Sequence, residues 1–113
     1  MILSQWKIIS DAYKKYGSPA IYKRNEIVEA FEFGKGSFSE FSLFFRSDGS
    51  LQAREYYERN SLRNHRPIEE GPAVEVFKPN GDLHYVKYYL NGVFLGWSKH
   101  EAEQIIKRTS NLH

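Results

Sequence analysis

Apolar side chains recur at spacings of three and four over the first stretch of the chain. Leu3, Trp6, Ile9, Tyr13 and Tyr16 share one stripe, while Lys7, Asp11, Lys14 and Lys15 lie off it. That period predicts an amphipathic helix over roughly residues 3–16 that packs its stripe on a sheet. Gly17-Ser18-Pro19 stops it. The period then shortens to two. Ala20-Ile21-Tyr22-Lys23 reads as a short edge strand, Ile27 to Phe33 as a second strand, and Gly34-Lys35-Gly36-Ser37 as a turn. That turn lacks the length and flanks of a phosphate-binding loop. Glu26, Glu29 and Glu32 would form an acidic face on a helix, but on a strand they divide between two sides.

Phe38 to Arg46 reads as a strand, Ser47-Asp48-Gly49-Ser50 as a turn, and Leu51 to Glu58 as the return strand. Strict alternation places Leu51, Ala53 and Tyr57 on one face and Gln52, Arg54, Tyr56 and Glu58 on the other. Ala73 to Phe77 then leads into Asn80-Gly81, a strong hairpin signal because both residues tolerate positive φ. Leu83 to Leu90 returns, Asn91-Gly92 makes another tight turn, and Val93 to Trp97 forms a last short strand. Ser98 and Glu101 match a capping box that opens a helix over 98–108, with Ala102, Ile105 and Ile106 as its apolar face.

These elements contain a near-repeat. Phe45-Arg46-Ser47-Asp48-Gly49-Ser50-Leu51 runs on to Tyr56-Tyr57, and thirty-two residues later Phe77-Lys78-Pro79-Asn80-Gly81-Asp82-Leu83 runs on to Tyr88-Tyr89. A period of this size indicates stacked supersecondary units. The expected fold is therefore α+β: an antiparallel β-meander of stacked hairpin repeats, with an N-terminal and a C-terminal helix. The expected layout is a single domain over 1–113. It has an N-terminal helix over 1–17, a sheet over 20–97 with repeats at 38–62 and 70–94, and a C-terminal helix over 98–108 that covers one end of the sheet.

Composition narrows the classes. The chain has 113 residues, room for one core. Aromatics make up 16%, which suits half-buried sheet faces. The formal charge is only +2, so a polyanionic partner is permitted but not demanded. The absence of cysteine points to a reducing, cytoplasmic setting. No apolar run reaches the length of a membrane span. Trp6-Lys7 and Asp11 break up any signal-peptide layout.

One segment carries a resemblance. His65-Arg66-Pro67-Ile68-Glu69-Glu70-Gly71-Pro72-Ala73, then Asn80-Gly81, then Tyr88-Tyr89-Leu90-Asn91-Gly92, resembles the HR-x-x-(D/E)-GPA … NG … Y-x-NG hairpin repeats of bacteriophage, bacterial and large-virus proteins. These are similar to a divergent MORN repeat. The likeness is good over 64–108, weaker over 38–63, where Gly-Pro-Ala is missing, and absent over 1–37. It implies a stacked-hairpin scaffold, commonly of phage origin and used for protein contacts. Membrane binding, a property of some MORN proteins, has no support in a basic amphipathic helix or lipidation signal.

Candidate chemistry is sparse. His65, His84, His100 and His113 show no metal-ligand spacing, and no serine sits in a nucleophile elbow. Glu75-Val76-Phe77-Lys78 is faintly nuclease-like but lacks an upstream acid. No catalytic residue, metal or cofactor is expected, and the chain is read as a non-enzyme. The linker Arg59 to Pro67 concentrates positive charge, which Glu69-Glu70 keeps short-ranged. Tyr57 and Tyr89 share the Leu51/Leu83 side and read as core, so Tyr56 and Tyr88 form an outward aromatic ladder. That ladder either stabilises the sheet across strands or serves as a docking platform.

The expected partner-binding set is Arg54, Tyr56, Arg59, Arg63, Arg66, His84 and Tyr88. The leading expectation is a protein-binding module, a small phage-encoded factor that binds and inhibits a host protein such as a defence component. One alternative is a single-stranded nucleic-acid binder, which would stack bases on the tyrosines and bind phosphates through arginines. A structural subunit of a larger assembly is the other.

Overall fold

Short hairpins with recognisable turn chemistry reverse the chain, and the strands between them pair in chain order. The computed structural model describes residues 4–34, 40–58 and 63–110. Helix α1 (Ser4–Tyr16) precedes β1 (Ala20–Arg24), β2 (Ile27–Phe33), β3 (Phe41–Phe45), β4 (Leu51–Tyr56), β5 (Val74–Phe77), β6 (Leu83–Leu90) and β7 (Val93–Gly96), and helix α2 (Lys99–Ser110) closes the chain. Each strand pairs antiparallel with its neighbour in sequence, giving an open seven-stranded sheet in the order β1 to β7. This is the α+β meander that the periodicity predicts. Its radius of gyration, 15.3 Å, exceeds the roughly 13 Å of a compact domain this long, because the sheet grows in one direction. Among the described residues no helix is long and apolar enough to cross a membrane.

Two kinds of tight turn occur among the described residues. The β1–β2 and β6–β7 turns have positive φ at both central residues (Asn25 50°, Glu26 66°; Asn91 49°, Gly92 80°), as a type I′ turn requires. The β3–β4 and β5–β6 turns use three-residue loops instead. Gly81 N donates to Lys78 O at 2.9 Å, Lys78 N to Asp82 O at 2.8 Å, and Asp82 N to the Asn80 side-chain oxygen at 2.9 Å. The same three bonds recur in the first copy: Gly49 N to Arg46 O at 2.9 Å, Arg46 N to Ser50 O at 2.9 Å, and Ser50 N to Asp48 Oδ1 at 2.8 Å. The near-repeat in sequence is thus a repeat in hydrogen bonding. In the second copy only Gly81 is left-handed, at 94°, whereas Asn80 is not. Pro79 holds the first loop position near −65°, which favours a type I turn and leaves the left-handed step to glycine.

The repeat also carries a bulge, and this corrects the assignment of faces. Phe44 pairs with Ala53 but Phe45 with Leu51; Val76 pairs with Tyr85 but Phe77 with Leu83. Gln52 and His84 are the extra residues, again thirty-two apart. An extra residue inverts the alternation beyond it. Leu51 therefore shares a face with Arg54 and Tyr56, rather than with Tyr57. The expected outward ladder of Tyr56 and Tyr88 does not exist. Tyr88 is a core residue, 7% exposed, and Tyr56 is half-buried against the first core cluster. Tyr57 and Tyr89 occupy the opposite face.

Both helices pack on the Tyr56/Tyr88 face. Under α1, Ile9 and Ala12 meet Phe31, Phe33, Phe41, Leu43, Phe45 and Leu51. Tyr13 meets Phe33 edge-on at 5.7 Å, and Tyr16 stacks on Phe41 at 5.6 Å. Each such ring pair contributes ~0.5–1.5 kcal/mol beyond its buried area. The buried line of α1 is displaced from the expected stripe: Ile8, Ile9, Ala12 and Tyr16 pack inward, while Trp6 and Tyr13 stay exposed. Ala12 lets the helix approach the aromatic sheet closely, and a small side chain carries little weight in a hydrophobic stripe. Gly17, at φ 87°, ends the helix by donating to Tyr13 O at 2.8 Å. Under α2, Ala102 meets Tyr88, Leu95 and Ile68. Its start is the predicted capping box with one change. Glu101 N donates to Ser98 Oγ at 3.1 Å, but the Glu101 carboxylate accepts from Trp97 N at 2.9 Å, one residue before the cap.

Candidate functional site

Between the two helix-covered clusters, the middle strands carry charge instead of hydrocarbon. Register pairing runs Phe31–Leu43–Arg54–Glu75–Val86 across five strands, so an ion pair sits where the apolar rows would meet. Arg54 Nη2 donates to Glu75 Oε2 at 2.8 Å, and Arg66 Nη1 lies 3.7 Å from the other carboxylate oxygen. Each guanidinium also covers a ring: Arg66 lies 4.0 Å from the centre of Tyr56 and Arg54 5.2 Å from that of Phe77. Such contacts contribute ~0.5–2 kcal/mol. Arg54 Nε is buried without an acceptor, at a cost of ~1–3 kcal/mol. Burial raises the pKa of Tyr56, and the nearby Arg66 and Arg54 oppose that rise. Burial likewise raises Tyr88.

The segment that carries the repeat signature closes on itself here. Arg66 Nη1 donates to Pro72 O at 3.2 Å, and a Cβ on Gly71 would stand 2.7 Å from that same nitrogen. Glycine at 71, with φ 136°, is what lets the guanidinium pass. Ala73 is fully buried in the row between Tyr56 and Tyr88. His65 Nδ1 accepts from Asn91 N at 3.0 Å, and Asn64 O accepts from Gly92 N at 2.8 Å. The signature thereby ties the linker onto the β6–β7 turn.

Four of the expected site residues, Arg54, Tyr56, Arg66 and Tyr88, are therefore neighbours, gathered around Glu75. The other three are not. Arg63 pairs with Glu58 at 2.6 Å and packs over Gly92. His84 is the exposed bulge residue, 5.1 Å from the ring of Tyr85. Arg59 lies outside the described residues. The two described arginines of the linker, Arg63 and Arg66, make internal pairs, and in place of an outward tyrosine ladder this side holds an internal network.

The opposite face carries no helix among the described residues. On β6, Tyr85, Lys87 and Tyr89 alternate toward it, and on β7 Phe94 joins them opposite Tyr89. Trp97 completes the group. Its ring meets Tyr85 at 5.8 Å and Phe94 at 5.2 Å, and Phe94 meets Tyr89 at 5.5 Å. Lys87 Nζ stands 5.8 Å from the ring centre of Tyr85 and 5.4 Å from that of Trp97. Trp97 is 54% exposed, Phe94 42% and Tyr85 38%. Sequence reading missed this strip, although Tyr85-x-Lys87-x-Tyr89 is a legible period of two. Taking Leu83 as the marker of the inner face hid it.

The same face turns acidic toward β2. Glu32 and Glu55 flank Ser42, Tyr22 Oη donates to Glu32 at 3.1 Å, and Asn64 Nδ2 donates to Glu55 at 3.2 Å. Tyr57 belongs to this end. Burial pushes its hydroxyl up to about 12, and the neighbouring Ser42 hydroxyl partly offsets the rise. Among the described residues no group of three or more histidines, cysteines or carboxylates is placed to hold a metal. Comparison with protein-family models, curated proteins and solved structures finds no match, so function is argued from this geometry.

Proposed function

We propose that this protein is a non-enzymatic protein-binding module that docks its partner on the uncovered face of β6 and β7. The observation that carries the reading is the exposed strip of Tyr85, Phe94 and Trp97, edged by Lys87. Large rings left in water on a rigid sheet are the commonest anchors of protein interfaces, because they bury much area at little entropic cost. Phage origin and inhibition of a host protein rest on the repeat resemblance alone and form the finer part of the proposal. Docking of single-stranded nucleic acid is the weaker reading, since Glu32 and Glu55 share the face and would repel phosphates.

The test is a paired substitution, Phe94→Ser with Trp97→Ser. Both rings are exposed, so the melting transition should stay in place while the captured partner is lost from affinity pull-down. Retention of the same partner by the double variant sinks the proposal. Capture that disappears on nuclease treatment transfers the reading to nucleic acid.

A further inference from the structure

The gap between α1 and the charged middle of the sheet forms a cleft of about 190 Å³. Its walls include Ile8 and Ala12 on the helix and the rings of Tyr16, Phe41 and Tyr56. Its polar groups are unevenly charged. Lys15 and Arg54 line it, with Arg66 behind the Tyr56 ring. Against these stand Asp11, which Lys7 already neutralises at 2.8 Å, and Glu75, a single carboxylate between two guanidiniums. Lys15 Nζ rests over the Tyr16 ring at 5.2 Å and makes no ion pair among the described residues. Arg54 Nε has no acceptor. The cleft thus pairs an aromatic lining with cations in excess of the anions that face them.

We propose that this cleft binds a small aromatic carboxylic acid. The carboxylate sits between Lys15 and Arg54, where a guanidinium and an ammonium give charge-assisted hydrogen bonds. The ring of the ligand lies against Tyr16, Phe41 and Tyr56. The volume is below that of pockets for drug-sized ligands, which limits the occupant to a single ring with a short acid arm. The site lies on the sheet face opposite the proposed protein-docking strip, so each can fail without the other.

The probe is phenylacetate, with the isosteric but neutral phenylacetamide as control. Binding is followed by two-dimensional nitrogen–proton NMR on the full chain, where the Arg54 Nε–H gives its own signal. Phenylacetate should shift that signal and the amides of Ile8 and Ala12 saturably in the millimolar range, whereas phenylacetamide should not. Lys15→Gln, at an exposed position that cannot unfold the chain, should weaken binding several-fold. Arg54→Gln combined with Glu75→Gln replaces the ion pair by two neutral amides and should weaken it about tenfold or more. Equal shifts with the amide would overturn the proposal, as would no saturable shift with the acid or binding unchanged in Lys15→Gln.

Discussion

The two hairpin copies, β3–β4 and β5–β6, have the same backbone and different fates. Both make the same three turn bonds and the same bulge, yet Leu51 is 8% exposed and Leu83 is 51% exposed. Phe45 is buried in the first core cluster, whereas its counterpart Phe77 only packs against that cluster's margin. The difference comes from what lies above them. Helix α1 packs over the first copy along its length, from Phe41 to Leu51, whereas α2 covers only the far half of the second, at Tyr88. A repeat therefore specifies a unit of backbone, while burial depends on the element that happens to pack over each unit.

The largest expected contrast follows from that cover. Leu51→Ala should cost about 2–4 kcal/mol, since it opens a cavity under α1. Leu83→Ala should stay within about 0.5 kcal/mol, as exposed positions do. Urea denaturation of the two variants measures both, and equal losses would mean that the copies are equivalently packed.

A smaller effect belongs to Tyr57, the outward tyrosine that follows the first bulge. The folded Tyr57 hydroxyl titrates near 12 rather than 10, so the folded state holds this proton more tightly than the unfolded chain. The stability linked to it is fully present below pH 10 and falls as pH rises toward 12. Allowing for the part of the ring that water still screens, the loss is about 1–2 kcal/mol. Tyr57→Phe should flatten that part of the alkaline stability profile. A profile of this variant that keeps the full alkaline fall would show that another group is responsible.

The smallest contrast concerns the residues that flank the loops. Arg46 donates to Leu51 O at 3.0 Å and also to Phe77 O, so it ties the first copy to the second. Lys78, its counterpart, is exposed. Arg46→Met should cost about 1 kcal/mol and Lys78→Met nothing measurable. Similar losses would show that the bridge between copies contributes nothing of its own.

Much of this architecture was legible because its determinants are local. Gly17 stops α1, Asp48 and Asn80 fold back on the backbone two residues on, Asn91-Gly92 supplies two left-handed residues, and Ser98 caps α2. Each acts within a few residues, so composition at the site suffices. The candidate site was less legible. Arg54, Tyr56 and Arg66 were singled out and do come together, but the group that gathers them is Glu75, from a strand whose register is set by long-range pairing. The aromatic strip is hidden in the sequence because the alternation that starts at Leu83 is inverted by the bulge at His84.

By itself the sequence determined the order of the strands, the chemistry of the turns and the two helix caps, since all of these are short-range events. Only the tertiary structure decided which side each residue faces. One extra residue at Gln52 and another at His84 invert the alternation, and whether a strand takes up such a bulge depends on the pairing of its neighbour. The tertiary structure also decided which copy is covered, because two helices can shield only part of a sheet that extends in one direction.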